Sequence, residues 1–261
     1  MTDKNDTQLS IVPGEWAVKK LLGPTLDQIG NDLQKLYSTG RDKILAVAIR
    51  KSDVKDGKKA NLRVARDVFW NGSFTDEVIC AEYFGGILAS SRSADGKDDR
   101  GIYYTDIIKS LSSQQLLLHY IIYRSLNKLW LEMPSDKKRP NVGDANEISQ
   151  YHVWFATKEI EGTSVISMDK DLIALNSKGL VNDFEGKGHK LEDGREVPYT
   201  NVQPTTLGIQ LYAVAHNKLT DWRKLPFEDF GEFPDIKVPA LFTFSIEELL
   251  TRAGLKKNEK S

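Results

Sequence analysis

A mainly helical α+β fold, with an N-terminal helical bundle and a C-terminal winged-helix-like module containing a small β-hairpin, is the class this sequence predicts. Three observations carry it. Apolar residues recur at three, four and seven residue steps in most segments before position 134. One of those segments, 114–123, is apolar all the way round, as a helix in the middle of a bundle must be. The last third changes character, passing through a helical segment, a short strand, a Gly- and charge-rich excursion and a second strand. With 261 residues, 40% of them hydrophobic, the chain can bury an ordinary core without staples.

In chain order, residues 1–14 are expected to form a flexible N-terminus. Trp16, Leu21, Leu22, Leu26, Ile29, Leu33, Leu36 and Tyr37 then predict amphipathic helix over 15–38, interrupted at Gly23-Pro24 because proline has no amide hydrogen to donate. A third apolar segment, 44–49, is ended by the charged turn 51–59. Leu62, Val64, Ala65, Val68 and Phe69 predict a helix over 60–70, stopped by Asn71-Gly72. Thr75 offers a cap to the next helix, with Asp76 and Glu77 suited to its positive pole. Gly85-Gly86 weakens that helix by about 1 kcal/mol per glycine relative to alanine, which points to close approach by another backbone. A polar loop at 90–101 follows, and Ser112 or Ser113 caps the buried helix after it. These segments make a helical domain over 15–133.

Residues 134–144 hold Pro134, Pro140, Gly143 and Lys137-Lys138-Arg139, and are expected to link that domain to a second over 145–255. There 151–157 fits strand or helix equally, and 169–177 fits a helix stopped by Lys178-Gly179. The excursion through Asp193-Gly194 and the stretch 197–202 resemble a hairpin wing. Thr206 is positioned to cap a helix through Leu207, Leu211, Val214 and Ala215, and Ser245 caps 246–250. A polar tail, 256–261, closes the chain.

Thirty-six Lys and Arg against 37 Asp and Glu give a net charge of -1, so no global field draws the chain to nucleic acid or an anionic membrane. The single cysteine, Cys80, excludes an internal disulfide and a thiolate zinc cluster, and its apolar neighbours place it in the core. Neither a secretory signal nor a membrane-spanning run is present, so the expected compartment is the cytoplasm.

No catalytic constellation is recognisable. His119, His152, His189 and His216 are isolated from one another; His119 and His152 read as core or boundary residues, His189 lies in the wing, and His216 ends a helix where a cation suits the negative pole. Neither common phosphate-binding glycine motif occurs, and Ala89-Ser90-Ser91-Arg92-Ser93 lacks a nucleophile elbow. No enzyme activity, cofactor or metal is therefore expected. Asp95, Asp98, Asp99 and Asp106 have carboxylate spacing to compare with a cation site, but Arg92, Lys97 and Arg100 nearly neutralise them, which favours an ion-pair network. The candidate binding residues are Arg92, Asp98, Asp99 and Arg100, since a polar loop between buried helices is how a rigid scaffold presents a site. Nucleic-acid binding through the wing is disfavoured: Asp183, Glu185, Glu192, Asp193 and Glu196 outnumber Lys187, Lys190 and Arg195. Residues 15–38 also fit a membrane surface, though core packing explains the same stripe and the polar face is mixed rather than basic.

Several segments resemble the Abi-alpha family of bacterial abortive-infection proteins. They are Leu22-Gly23-Pro24-Thr25-Leu26-Asp27-Gln28-Ile29-Gly30, Tyr83-Phe84-Gly85-Gly86-Ile87-Leu88-Ala89-Ser90-Ser91 and Ile107-Ile108-Lys109-Ser110-Leu111-Ser112. Leu175-Asn176-Ser177-Lys178-Gly179-Leu180-Val181 with Thr206-Leu207-Gly208-Ile209 continue the order. Asp98-Asp99-Arg100 and the chain beyond Phe227 depart from the family. The resemblance implies anti-phage defence without a mechanism and supplies no catalytic residues. Together with the missing catalytic constellation, it leads to the expectation of a sensor or adaptor that recognises a protein partner, a second defence component or a phage component.

Overall fold

The computed structural model describes residues 25–53, 55–75, 77–161, 167–191 and 193–255. The readings made for 1–24, Asp76, Glu192 and 256–261 lie outside them. The fold is mixed α+β and mainly helical, with two small antiparallel sheets.

The first described helix, α1, is Thr25–Arg50, and it joins in one element what the sequence divides at 39–43. Gly40 stands inside the helix because a side chain there would overlap the backbone of Ser73, so this glycine marks a close contact and not a helix end. Ser38 returns its hydroxyl to the Gln34 carbonyl at 2.8 Å, so this polar stretch stays within the helix. A two-residue strand β1 (Lys59–Ala60) precedes α2 (Leu62–Gly72), which Asn61 caps by accepting from the Arg63 and Val64 amides. The helix α3 is Val78–Ser90 and is buried on nearly every side. Thr75 receives the Glu77 amide at 3.2 Å but makes no cap bond to the helix itself.

The two glycines of α3 have separate neighbours. Any side chain at Gly85 would meet Val47 and the Ile44 carbonyl of α1, and one at Gly86 would overlap the backbone of Ala215. Two helices therefore approach α3, where the sequence predicts one close contact. Cys80 lies in the same helix, buried, with burial pushing its thiol up to about 11. Thiolate is the reactive form. A neutral-pH disulfide reagent should leave Cys80 unlabelled in the native protein and label it fully in denaturant; rapid native labelling would contradict this packing.

After β2 (Arg92–Ser93), which pairs with β1, come α4 (Gly101–Ile108) and α5 (Ser113–Glu132). Ser112 rather than Ser113 is the cap, in a reciprocal box with Gln115 that satisfies two end amides. Residues 134–144 are tied down at several points. Arg139 donates to the Pro226 carbonyl at 3.0 Å and to the Met133 carbonyl at 3.1 Å, and Thr206 donates to the Val142 carbonyl at 3.0 Å. One apolar core includes residues from both sides of this stretch.

A short helix α6 (Ala145–Ile148) leads to β3 (Val153–Ala156). Burial decides the ambiguous segment: Val153 and Phe155 point inward, alternating with Trp154 and Ala156, the period of a strand. Then follow α7 (Thr157–Glu161), α8 (Met168–Ser177), β4 (Val181–Lys190) and β5 (Glu196–Pro204). The β4–β5 hairpin is longer than its predicted core. With β6 (Phe242–Thr243), which the sequence does not announce, the sheet has the order β4-β5-β3-β6. The helix α9 is Thr206–Ala215, and its cap is Thr205, one residue before the predicted one. Thr205 accepts from the Gly208 amide at 3.0 Å, whereas Thr206 is the residue bonded to Val142.

A 3-10 turn (Leu219–Lys224) opens a strap that α5 holds by its polar residues. Asn127 donates to the carbonyls of Leu225 (2.6 Å) and Glu228 (2.9 Å) and accepts from the Phe230 amide (3.2 Å), while the Tyr120 hydroxyl accepts from the Phe233 amide (2.9 Å). The last described helix, α10, is Ile246–Arg252. Among the described residues, no helix is long and apolar enough to cross a membrane.

Candidate functional site

The loop between α3 and α4 is fixed by its own polar residues. Ser93 Oγ accepts from the amides of Lys97 (3.1 Å) and Asp98 (3.3 Å) and donates to Asp95 (2.9 Å), while Gly96, at φ +68°, supplies the left-handed turn. Asn61 reaches across from the α2 cap to donate to the Gly96 carbonyl at 3.1 Å, coupling the loop to the helix beside it.

Of the four predicted residues, three line one cleft and one does not. Arg92, Asp98 and Arg100 share a cavity of about 300 Å³ with Asp56, Lys58 and Asp221. Arg92 pairs with Asp56 at 2.5 Å and donates to the Asp53 and Lys58 carbonyls, so it holds the 53–58 turn in place. Arg100 grips Asp98 with two bonds, of 2.5 and 2.9 Å. Asp99 turns away from the cleft toward Arg63, at 3.5 Å. The other two acids have local partners as well: Asp95 at Ser93 and the Lys97 amide, and Asp106 at Lys109. Among the described residues, no three His, Cys, Asp or Glu converge closely enough to hold a metal ion.

The cleft balances three cations, Lys58, Arg92 and Arg100, against three carboxylates, Asp56, Asp98 and Asp221. Hydrogen bonds from Arg100 hold Asp98 below the ordinary carboxylate range; the Lys58 amide does the same for Asp56, and Lys224 for Asp221. All three are ionised at neutral pH. What such a surface offers a ligand is a charge pattern and hydrogen-bond geometry.

Half of the cleft comes from chain positions that sequence spacing could not connect to the loop. Asn217, Leu219, Thr220 and Asp221 arrive with the turn after α9, where Asn217 sits at φ +57° and donates to the Lys51 carbonyl at 2.7 Å. Ser90 donates to the Val214 carbonyl at 3.0 Å and fastens the loop's root to the same helix.

A second polar assembly lies inside the molecule. Glu82, buried in α3, pairs with Arg50 and with Lys51, each at 2.5 Å, and Lys51 also donates to the Ala215 and Glu82 carbonyls. Burial lowers Lys51 to about 8 despite Glu82 beside it. The Tyr83 hydroxyl meets His119 Nδ1 at 2.5 Å, and Phe233 stacks between Tyr120 and His216, at 4.4 and 4.5 Å. Arg124, also buried, bonds Asp229, Glu232 and Asn127. Burial lowers both His119 and His216 to about 3. His216 is therefore neutral, contrary to the cation expected at a helix end, because desolvation outweighs the helix pole. His152 and His189 lie elsewhere, half-buried.

The class this architecture defines is a helical α+β protein with a charge-balanced surface cleft. No protein-family model, curated protein or solved structure matches the chain.

Proposed function

We propose that this is a recognition protein of bacterial anti-phage defence, a cytoplasmic sensor or adaptor without chemistry of its own that contacts a protein partner or phage component. Its helical bundle would carry a winged-helix-like module built from β3, α7, α8, β4 and β5. The strand-helix-helix-strand-strand order, with β3 placed beside β5, supports that description. The defence context rests on the quoted resemblance to the Abi-alpha family.

The observation that carries the recognition reading is the rim of the loop. Asp99 and Arg100 keep 57% and 59% of their side chains exposed, on a loop held rigid by Ser93, Asn61 and Arg92. A pre-ordered charged surface loses little entropy when a partner binds. Arg92 is a positioning residue, since its removal would free the 53–58 turn.

The nucleic-acid alternative finds no support in the wing, where Lys187 and Arg195 are paired within it to Glu185 and Asp193. Residues 15–24 of the segment invoked for the membrane-surface alternative lie outside the described residues.

The test is phage protection by Asp99→Ala/Arg100→Ala. Both side chains are exposed, so the melting midpoint should hold within about 2 °C while protection falls. Full protection by this folded variant would remove the loop from the function.

A further inference from the structure

A cavity of about 680 Å³, separate from the loop cleft, opens where the end of α5, the Met133–Lys138 stretch, the approach to β3 and the β6–α10 segment meet. Its size falls within the range that encloses small ligands. Tyr151 and Phe244 line it, edge to face at 5.3 Å, and Tyr151 is held from behind by the buried Trp130 at 5.6 Å. The ring is therefore fixed before any ligand arrives.

The basic triplet Lys137-Lys138-Arg139 divides at this place. Arg139 is an anchor, turned inward to the Pro226 and Met133 carbonyls, whereas Lys137 and Lys138 line the cavity with Arg252 and His152. Arg252 is already engaged by Glu248 at 2.7 Å and Glu132 at 3.7 Å. Lys138 reaches Glu147 at 3.3 Å with 83% of its side chain in water, a weak pairing. Lys137 has no ion-pair partner among the described residues. Two aromatic rings beside two under-used ammonium groups match a ligand with a flat ring and an anion.

We propose that this cavity binds a nucleoside monophosphate, with its base against Tyr151 and Phe244 and its phosphate at Lys137 and Lys138. With Arg252 held by Glu132 and Glu248, Lys137 and Lys138 are left to face a phosphomonoester's charge of about -1.5 to -2. That balance suits a monophosphate; a triphosphate would extend its further charge toward the two glutamates. The binding requires no glycine-rich phosphate loop, consistent with a sequence that has none. It is independent of the 90–101 loop, so either reading can fail alone.

The test is calorimetric titration of the full chain at low salt with AMP, adenosine and inorganic phosphate, repeated with Lys137→Glu/Lys138→Glu. AMP should bind, and adenosine and phosphate should each bind at least about tenfold more weakly, because each forfeits one half of the contacts. The double variant changes two exposed side chains and should keep its circular dichroism while binding AMP at least about tenfold more weakly. Absence of AMP binding at millimolar concentration, unchanged binding by the folded double variant, or phosphate binding as tight as AMP would each overturn the proposal.

Discussion

Gly86→Ala should lower the melting midpoint by about 5 to 10 °C, the shift that roughly 2 to 3 kcal/mol produces in a chain of this size. Alanine is intrinsically the better helix former by about 1 kcal/mol, so the direction of the effect is a test of contact. The added methyl would overlap the Ala215 carbonyl, carbonyl carbon and Cα, all backbone atoms with no rotamer by which to yield. The strain would spread to Lys51, which donates to that carbonyl at 2.8 Å, and to Ser90, which donates to the neighbouring Val214 carbonyl at 3.0 Å. Overpacking costs about 1 to 3 kcal/mol, occasionally more; an overlap with three unyielding backbone atoms belongs at the top of that range, about 3 to 4, so about 2 to 3 remains after the helix gain. Gly186→Ala is the control, because the nearest atom there is Thr200 Oγ1 at 3.9 Å and the residue is exposed. Equal melting of Gly86→Ala and the parent would mean that α3 and α9 do not touch through their backbones.

That contact shows how far sequence reasoning reaches. Gly85-Gly86 in an apolar helix announces a close neighbour, since glycine in a helix interior is otherwise a cost. What it does not announce is the neighbour's identity: Ala215 lies far along the chain, and apolar periodicity carries no partner information. The same limit explains the small strands. β1 and β2 are two residues each and contain no alternation to detect, and β6 is equally short. Register alone makes them strands. The division at 39–43 has a different origin. Ser38, Thr39 and Gly40 look like a break, yet the glycine is required by the Ser73 backbone beside it.

The candidate site was half legible. Local hydrogen bonds make the 90–101 loop, and its alternating charges show in the sequence; the walls supplied by the turn after α9 do not. The interior polar assembly did leave a trace. His119, Tyr120, Tyr123, Arg124 and Asn127 are polar or amphipathic residues on the stretch of α5 whose apolar residues go all the way round. Such groups are buried only with partners, so their presence on α5 signals an inner network, although the partners come from α3, α9 and the strap.

His119 makes that network sensitive to acid. Its side chain is fully enclosed, bonded to Tyr83, with burial lowering it from the ordinary 6.5 to about 3. Between those values the unfolded chain binds a proton that the folded chain refuses. Stability is therefore complete above about pH 6.5 and declines as pH falls toward 3. At about 1.36 kcal/mol per pKa unit, the lowering from 6.5 to about 3 makes this one ring worth on the order of 5 kcal/mol over the whole interval. His216 adds to the same slope to a smaller extent, because part of its surface reaches solvent although its Nε2 is sealed. Lys51, lowered to about 8, acts in a separate window: it raises stability as pH climbs through 8 toward 10.5. Asp229 and Glu232, held below their ordinary ranges, contribute only at still lower pH. The interval from pH 6.5 to 5 thus belongs to the histidines. The urea midpoint should fall across it in the parent protein. His119→Gln keeps an acceptor for the Tyr83 hydroxyl and cannot titrate, so it should have a lower midpoint at pH 7 and a flatter slope from 6.5 to 5. A slope unchanged by this substitution would mean that His119 is protonated in the native protein and that Tyr83 is not its donor.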